Sequence, residues 1–331
     1  MVTEDTDARA AIEALARDVE EGLQRLSLPD EPEALYEPVR YVLAGGGKRV
    51  RPLLVLLAAE AFGGEAARRR AIPAALAVEV FHNFTLVHDD IMDEAPERRG
   101  RPSVHVRWDE PTAILAGDLL MGLSYDLLAR VEGVDTAVLV RRFHEMVLRL
   151  CEGQALDAAF ERRGDVSVAE YLDMIGRKTG ALLEAALEIG GLVGGAGEEG
   201  CAALRTAGRS LGCAFQIQDD LLDLTAEGPG WGKAIGGDLV VGKRTFLLLR
   251  SLEVAEGRAR AWFARALEGG LPERDIPEAR ARMDRLGVLA EARAAVRRHS
   301  DEGLQALETL PPGPAALALR GLAEGLVRRL R

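Results

Sequence analysis

The stretch that decides the fold is PAALAVEVFHNFTLVHDDIMDEAP, residues 73–96. Its apolar side chains recur at three- and four-residue spacing, the period of a helix that buries one face. Pro73 stands where a first helical turn tolerates proline, and Pro96 marks the end. Near that end the helix carries Asp89, Asp90 and Asp93. Asp89 and Asp93 are four apart, so both carboxylates share a face, one turn apart. Like charges at that spacing disfavour an isolated helix, so a cation is expected to neutralise them.

The same helical punctuation recurs on both sides. Asp30 with Pro32 reads as a helix start and Gly45-Gly46-Gly47 as a stop. Pro52 opens the next helix and Gly63-Gly64 is expected to close it. Asp109 with Pro111 and Asp135 read as further starts, and Ser167 with Glu170 matches a capping box. GGLVGGAGEEG (190–200) breaks two helical stretches, and PPGP (311–314) precedes a last one. EGPGWGKAIGGDLVVGK (227–243) reads as a long polar loop of the kind that carries function. No strand or hairpin is expected. The fold class is all-α, with about ten or more helices given their usual length. No linker divides residues 1–331, so a single domain is expected.

Composition agrees. The chain has 331 residues, 48% hydrophobic and 29% charged, enough for a substantial core. Its formal charge of −11 excludes a general nucleic-acid binder, which needs a basic footprint. Cys151, Cys201 and Cys213 form no CxxC pair, and an odd, sparse count suits a reducing, cytoplasmic setting. The acidic start lacks a signal core, and the apolar run at 53–64 is too short to span a bilayer, so no membrane span is expected.

A second acid cluster stands in FQIQDDLLDLT, residues 215–225. Asp219, Asp220 and Asp223 repeat the DDxxD spacing of Asp89, Asp90 and Asp93, again among apolar residues. One such motif reads most simply as a solvated helix face; two are harder to dismiss. If the two helices face each other, several carboxylates converge. Oxygen-only ligands select a hard cation, and magnesium shares its remaining positions with waters and substrate phosphates. The basic residues fit a diphosphate: Lys48, Arg49 and Arg51 in GGGKRVRP, Arg98 and Arg99, Lys178 beside Thr179, and Lys233 and Lys243. GGGKRVRP is not a Walker loop, because Arg follows the lysine. A zinc site on His82, His88 and His105 is the weaker alternative, since carboxylates dominate and no cysteine joins them.

In this order, GGGKRVRP, His82, DDIMD with RRG, KTG, FQIQDDLLD and GKRT resemble the trans-isoprenyl diphosphate synthases, or polyprenyl synthases, from about Gly45 to Lys243. The resemblance implies a helical bundle around a central cavity. It also implies condensation of isopentenyl diphosphate with allylic diphosphates, about three magnesium ions per site, and a homodimer. It casts Asp89, Asp93 and Asp219 as metal ligands, with Asp90, Asp220 and Asp223 as supporting ligands or acceptors behind them. Arg98, Lys178, Lys233 and Lys243 become contacts of the allylic diphosphate. Lys48, Arg51, His82 and Arg99 resemble the isopentenyl diphosphate pocket. Thr179 and Gln216 match positions that steady a carbocation.

Product length is expected to depend on the residues one and two turns before Asp89, which are Thr85, Phe84 and Phe81. Phe84 reads either as ordinary core or as the floor of an elongation tunnel. The resemblance favours the floor, and with no insertion in the first motif the product is expected to be geranylgeranyl diphosphate. Farnesyl or longer products are the alternatives. A terpene cyclase would carry a differently spaced second motif, a non-catalytic synthase subunit would lose aspartates, and a di-iron bundle would need Glu-x-x-His pairs.

Overall fold

The 73–96 stretch forms one continuous helix over most of its length, and helices account for nearly all regular structure around it. The computed structural model describes residues 2–226 and 235–328. Six helices come first: α1 (Val2–Gln24), α2 (Glu33–Leu43), α3 (Val50–Arg70), α4 (Ile72–Met92), the single turn α5 (Val104–Arg107) and α6 (Glu110–Ala129). The centre holds α7 (Thr136–Phe160), α8 (Val168–Ile175), a π-helical turn (Gly176–Gly180), α9 (Ala181–Gly194) and α10 (Glu198–Thr225). The remainder is α11 (Gly237–Val240), α12 (Phe246–Val254), α13 (Gly257–Gly269), α14 (Ile276–Arg285), α15 (Val288–Leu307) and α16 (Pro314–Arg328). The all-α expectation holds.

Local chemistry sets these boundaries. Asp109 caps α6 by accepting from the Thr112 amide. At α8 the Ser167–Glu170 capping box forms in both directions. Gly64 does not end α3 as expected. It bends the chain (φ 66°, ψ −168°), and helical structure resumes to Arg70. A small hairpin was also unforeseen. Glu97–Arg98 (β1) pairs with Arg101–Pro102 (β2), too short for any alternating pattern to show in sequence. Its two-residue turn is Arg99-Gly100, both with positive φ (55° and 73°), the twist that suits tight hairpins.

The chain divides into two compact units, each assembled from three segments rather than separated by a linker. The first comprises Met1–His144, Ala185–Ala202 and Leu310–Leu322. In it α4 packs on α3, α6 and α1, and α2 packs on α6. Leu53, Leu54, Leu56 and Leu57 of α3, Phe81 of α4, Leu120 and Leu128 of α6, and Phe143 are fully buried there. The second unit comprises Glu145–Glu184, Ala203–Thr309 and Ala323–Arg331. Its core joins Phe160, Tyr171, Ile217, Leu248, Phe263, Met283 and Val296. By length and composition α6 could cross a bilayer. Its packing against α2, α4 and α5 is that of a core helix.

An ion group is sealed inside the first unit. Arg49, at the N-cap of α3 with φ 49°, pairs with Glu79 of α4 at 2.7 Å and Glu20 of α1 at 2.9 Å. Arg49 and Glu79 are both buried, so neither can be removed without stranding the other. Arg49→Leu is therefore expected to destabilise the protein by about 3–5 kcal/mol, with part recovered in Arg49→Leu/Glu79→Leu. Urea titration measures both, and a single variant as stable as the parent would refute the assignment.

Candidate active site

In the first unit the acid motif occupies the last turn of α4. Asp93 is the C-cap and exposed, and Asp89 is half-buried. Asp90 turns inward and is only 4% exposed. Its Oδ1 accepts from Arg98 Nε at 2.7 Å and pairs with Nη2 at 2.6 Å. Arg98 arrives on β1, and the segment behind it is tied down by Ser103, whose hydroxyl donates to the Ala95 carbonyl at 2.6 Å. The like-charge problem is thus resolved partly from within, because the middle carboxylate turns inward to a guanidinium partner.

The expected isopentenyl pocket is also partly assembled here. Arg51 Nη1 lies 3.1 Å from His82 Nε2. A guanidinium can only donate, so Nε2 accepts and the ring proton sits on Nδ1, where Thr85 Oγ1 is 3.5 Å away. Burial, then the Arg51 charge, holds the His82 pKa well below its usual 6.5. Arg51 Nε is buried with no hydrogen-bond partner among the described residues. Arg99 reaches the Gly46 carbonyl, and its guanidinium fills the space where a side chain at position 47 would stand. Lys48 is exposed.

Below this rim, Phe84 is 7% exposed. Its ring lies 5.1 Å from that of Phe81 and 4.7 Å, edge on, from the His88 imidazole. His88 Nε2 is 3.3 Å from the Ile114 carbonyl of α6 and lies over Gly117, where a Cβ would come within 2.2 Å of it. The three histidines weighed for zinc are thus not gathered: His82 serves Arg51, and His88 serves α6.

In the second unit the KTG motif is the π-helical turn Gly176–Gly180. One extra residue in a helical turn re-aims the side chains it carries, and such turns recur at functional sites. Here the turn is clamped by backbone contacts. A Cβ on Gly153 of α7 would lie 2.3 Å from the Lys178 nitrogen, and one on Gly212 of α10 would lie 2.5 Å from the Gly180 Cα. Lys178 Nζ donates to Asp157 of α7 at 2.6 Å. Thr179 Oγ1 donates to Gln216 Oε1 at 3.0 Å, so these two expected partners do meet.

The second acid motif lies on α10 and repeats the pattern of the first. Asp219 is exposed and Asp220 is buried. Asp220 accepts from Tyr171 Oη at 2.5 Å, the Phe246 amide at 3.0 Å and Gln216 Nε2 at 3.4 Å. Burial and the nearby Asp238 charge push its pKa up to about 7 against those donors. Asp223 accepts from the Asp238 amide at 3.1 Å at the start of α11. Lys243 lies 3.6 Å from Asp238. Lys233 is outside the described residues.

Among the described residues no group of three or more His, Cys, Asp or Glu forms a finished metal site. The donors of each unit nevertheless fit magnesium: Asp89 and Asp93 in the first and Asp219 in the second are accessible carboxylates of the kind that leave coordination positions for water and phosphate oxygen.

A family described as polyprenyl synthetase matches residues 32–281. The chain belongs to the polyprenyl synthetase family. It is accordingly a prenyltransferase. It is 39% identical over 318 residues to a geranylgeranyl pyrophosphate synthase of Geoglobus acetivorans, covering 95% of this chain and 97% of that one. It is 38% identical over 321 residues to a geranylfarnesyl diphosphate synthase of Natronomonas pharaonis, covering 90% and 91%. A solved geranylgeranyl pyrophosphate synthetase from Pyrococcus horikoshii superposes with a TM-score of 0.91 at 38% identity, over 98% of this chain and 99% of that one.

Three partners in this site carry no sequence signal of their own. Asp157 is one acid on a mixed helix, Tyr171 follows a capping box, and Phe246 contributes only its amide. GQALD (153–157) does place Gly153 and Asp157 one turn apart, which puts the close approach and the ion pair on one face.

A neutral His82 has a consequence for stability. Its folded pKa lies below 6.5, so it adds no penalty above that value. Stability is lost as pH falls from 6.5 toward the folded pKa, because the unfolded histidine takes up a proton first. Thermal melts of wild type and His82→Gln across pH 5–8 are expected to diverge only below about pH 6.5, where the wild type drops more steeply. Parallel profiles would contradict a neutral, buried imidazole.

Proposed function

We propose that this protein condenses isopentenyl diphosphate with allylic diphosphates, head to tail, and releases geranylgeranyl diphosphate. Asp89, Asp93 and Asp219 would hold magnesium for the allylic diphosphate, about three ions in the number the family resemblance implies. Asp90, Asp220 and Asp223 support them from behind. Arg98, Lys178, Lys233 and Lys243 take oxygens of the same diphosphate. Lys48, Arg51, His82 and Arg99 take those of isopentenyl diphosphate, and the unpartnered Arg51 Nε is a donor ready for one.

When bound, magnesium supplies the charge that lets diphosphate leave with its electron pair. The allylic C–O bond breaks, and the resulting cation faces the oxygens of Thr179 and Gln216. The double bond of isopentenyl diphosphate attacks it, forming the new C–C bond. A proton is then lost to the departed diphosphate, and a new double bond forms. The cation would alkylate water, so apolar walls below the charged rim keep water away.

The observation that carries the product length is Phe84. Its buried ring, backed by Phe81 and His88, stands five residues before Asp89. A relative named geranylfarnesyl synthase of similar identity supports a longer product as the second reading. A homodimer is supported by Ile114 and Leu115, which leave 40% and 57% of their apolar surface exposed on α6. A cytoplasmic setting is supported by three cysteines without a disulfide.

The test is a product assay with magnesium, labelled isopentenyl diphosphate and each short allylic diphosphate in turn. A twenty-carbon product is expected, and Phe84→Ala is expected to lengthen it; an unchanged length in that variant would remove Phe84 as the floor. Asp89→Ala and Asp219→Ala are each expected to lower turnover by about 10²–10³-fold, with the helical circular dichroism retained. Turnover at the parent rate in either would reject the ligand assignment.

A further inference from the structure

Four side chains of the second unit form a hydrogen-bonded line in which the donated protons all point toward Asp220. Tyr171 Oη donates to Asp220 Oδ2 at 2.5 Å, and the Phe246 amide donates to the same oxygen at 3.0 Å. Gln216 Nε2 donates to the other oxygen, Oδ1, at 3.4 Å. Gln216 Oε1 in turn accepts from Thr179 Oγ1 at 3.0 Å.

This order fixes polarity. In its ionised form Asp220 can only accept, so it takes the amide nitrogen of Gln216 and leaves the carbonyl to Thr179. Thr179 has one hydroxyl proton, and that proton goes to the carbonyl. What the two oxygens, Thr179 Oγ1 and Gln216 Oε1, have left to present to a third party is lone pairs, while the second Gln216 N–H stays with the nitrogen that Asp220 holds. Lone pairs are the correct sign for a developing carbocation. Reversal of the Gln216 amide would present an N–H dipole of the wrong sign.

We infer that Tyr171 is a positioning residue that sets the amide orientation of Gln216 through Asp220, and thereby the polarity of the cation-facing pair. Tyr171 is suited to that task. It is 2% exposed, its ring packs edge-on to Phe246 at 6.4 Å, and it sits in α8 directly after Glu170 of the capping box, its amide bonded to the Ser167 carbonyl. Its hydroxyl is therefore held from both backbone and core. This rests on the proposed reading that Thr179 and Gln216 face the cation.

The test compares single-turnover rates for an allylic diphosphate and its 2-fluoro analogue, in which fluorine withdraws electrons from the cation. The ratio of the two rates is independent of how much enzyme is active, so a merely structural loss does not move it. In Tyr171→Phe the analogue-to-parent ratio is expected to fall a further tenfold or about that, the scale of a lost hydrogen bond to a charged group. The KM values for both diphosphates should stay within about twofold, since no diphosphate contact is removed. Gln216→Leu should lower the ratio at least as far, and the double variant should fall no further than Gln216→Leu alone. An unchanged ratio in Tyr171→Phe, effects that multiply in the double variant, or a Tyr171→Phe chain that does not fold would each overturn the inference. If the wild-type rates for analogue and parent are equal, the cation reading itself falls, and that outcome is distinct from the other three.

Discussion

Each acid motif depends on the inward turn of its middle aspartate. Three carboxylates within five residues repel one another, and a helix cannot carry them facing the same way without a counter-charge. Asp90 resolves this with the Arg98 guanidinium, and Asp220 resolves it with Tyr171 and the first amide of α12. Asp89, Asp93 and Asp219 are then left more accessible than the middle aspartates. In both units the element that supplies the partner comes from elsewhere in the chain: the β1 hairpin for Asp90, and α8 and α12 for Asp220. The accessible carboxylates are thus positioned by groups behind them in the fold.

The second unit applies the same economy to its π-helical turn. A turn with an extra residue is intrinsically less favourable than an α-helical one. It persists where packing over-determines it, and here glycine on both neighbouring helices brings backbone against backbone. Lys178 and Thr179 are presented side by side as a result, one to Asp157 and one to Gln216. The GKRT segment has a related explanation. Thr245 caps α12, accepting from the Leu248 amide, and the capped end aims the Phe246 amide at Asp220.

Much of this was legible in the sequence, for definite reasons. The 3.6-residue period of 73–96, the caps at Asp109 and Ser167, and the two DDxxD motifs are local signals, and each reappears where it was read. What was not legible is non-local. Gly64 bends α3 without ending it, because helix breaking depends on what packs afterwards. The hairpin at 97–102 is too short to alternate. Asp157, Tyr171 and the Phe246 amide matter through partners 21, 49 and 26 residues away, and no spacing rule reaches that far. The roles of Asp90 and Asp220 as acceptors were among the readings left open, and burial is what distinguishes them from their outward neighbours.

The seat of His88 on Gly117 has a bearing on how such a protein could change over time. Phe84 leans on His88, and His88 leans on α6 at a glycine with no room for even a methyl group. The depth below the acid motif is therefore written on two helices. A mutation at Gly117 on α6 would displace the imidazole and shift the Phe84 ring that rests on it. With Phe84 as the proposed floor, selection for longer or shorter prenyl chains would have a second, concealed handle, one that leaves every charged group in place.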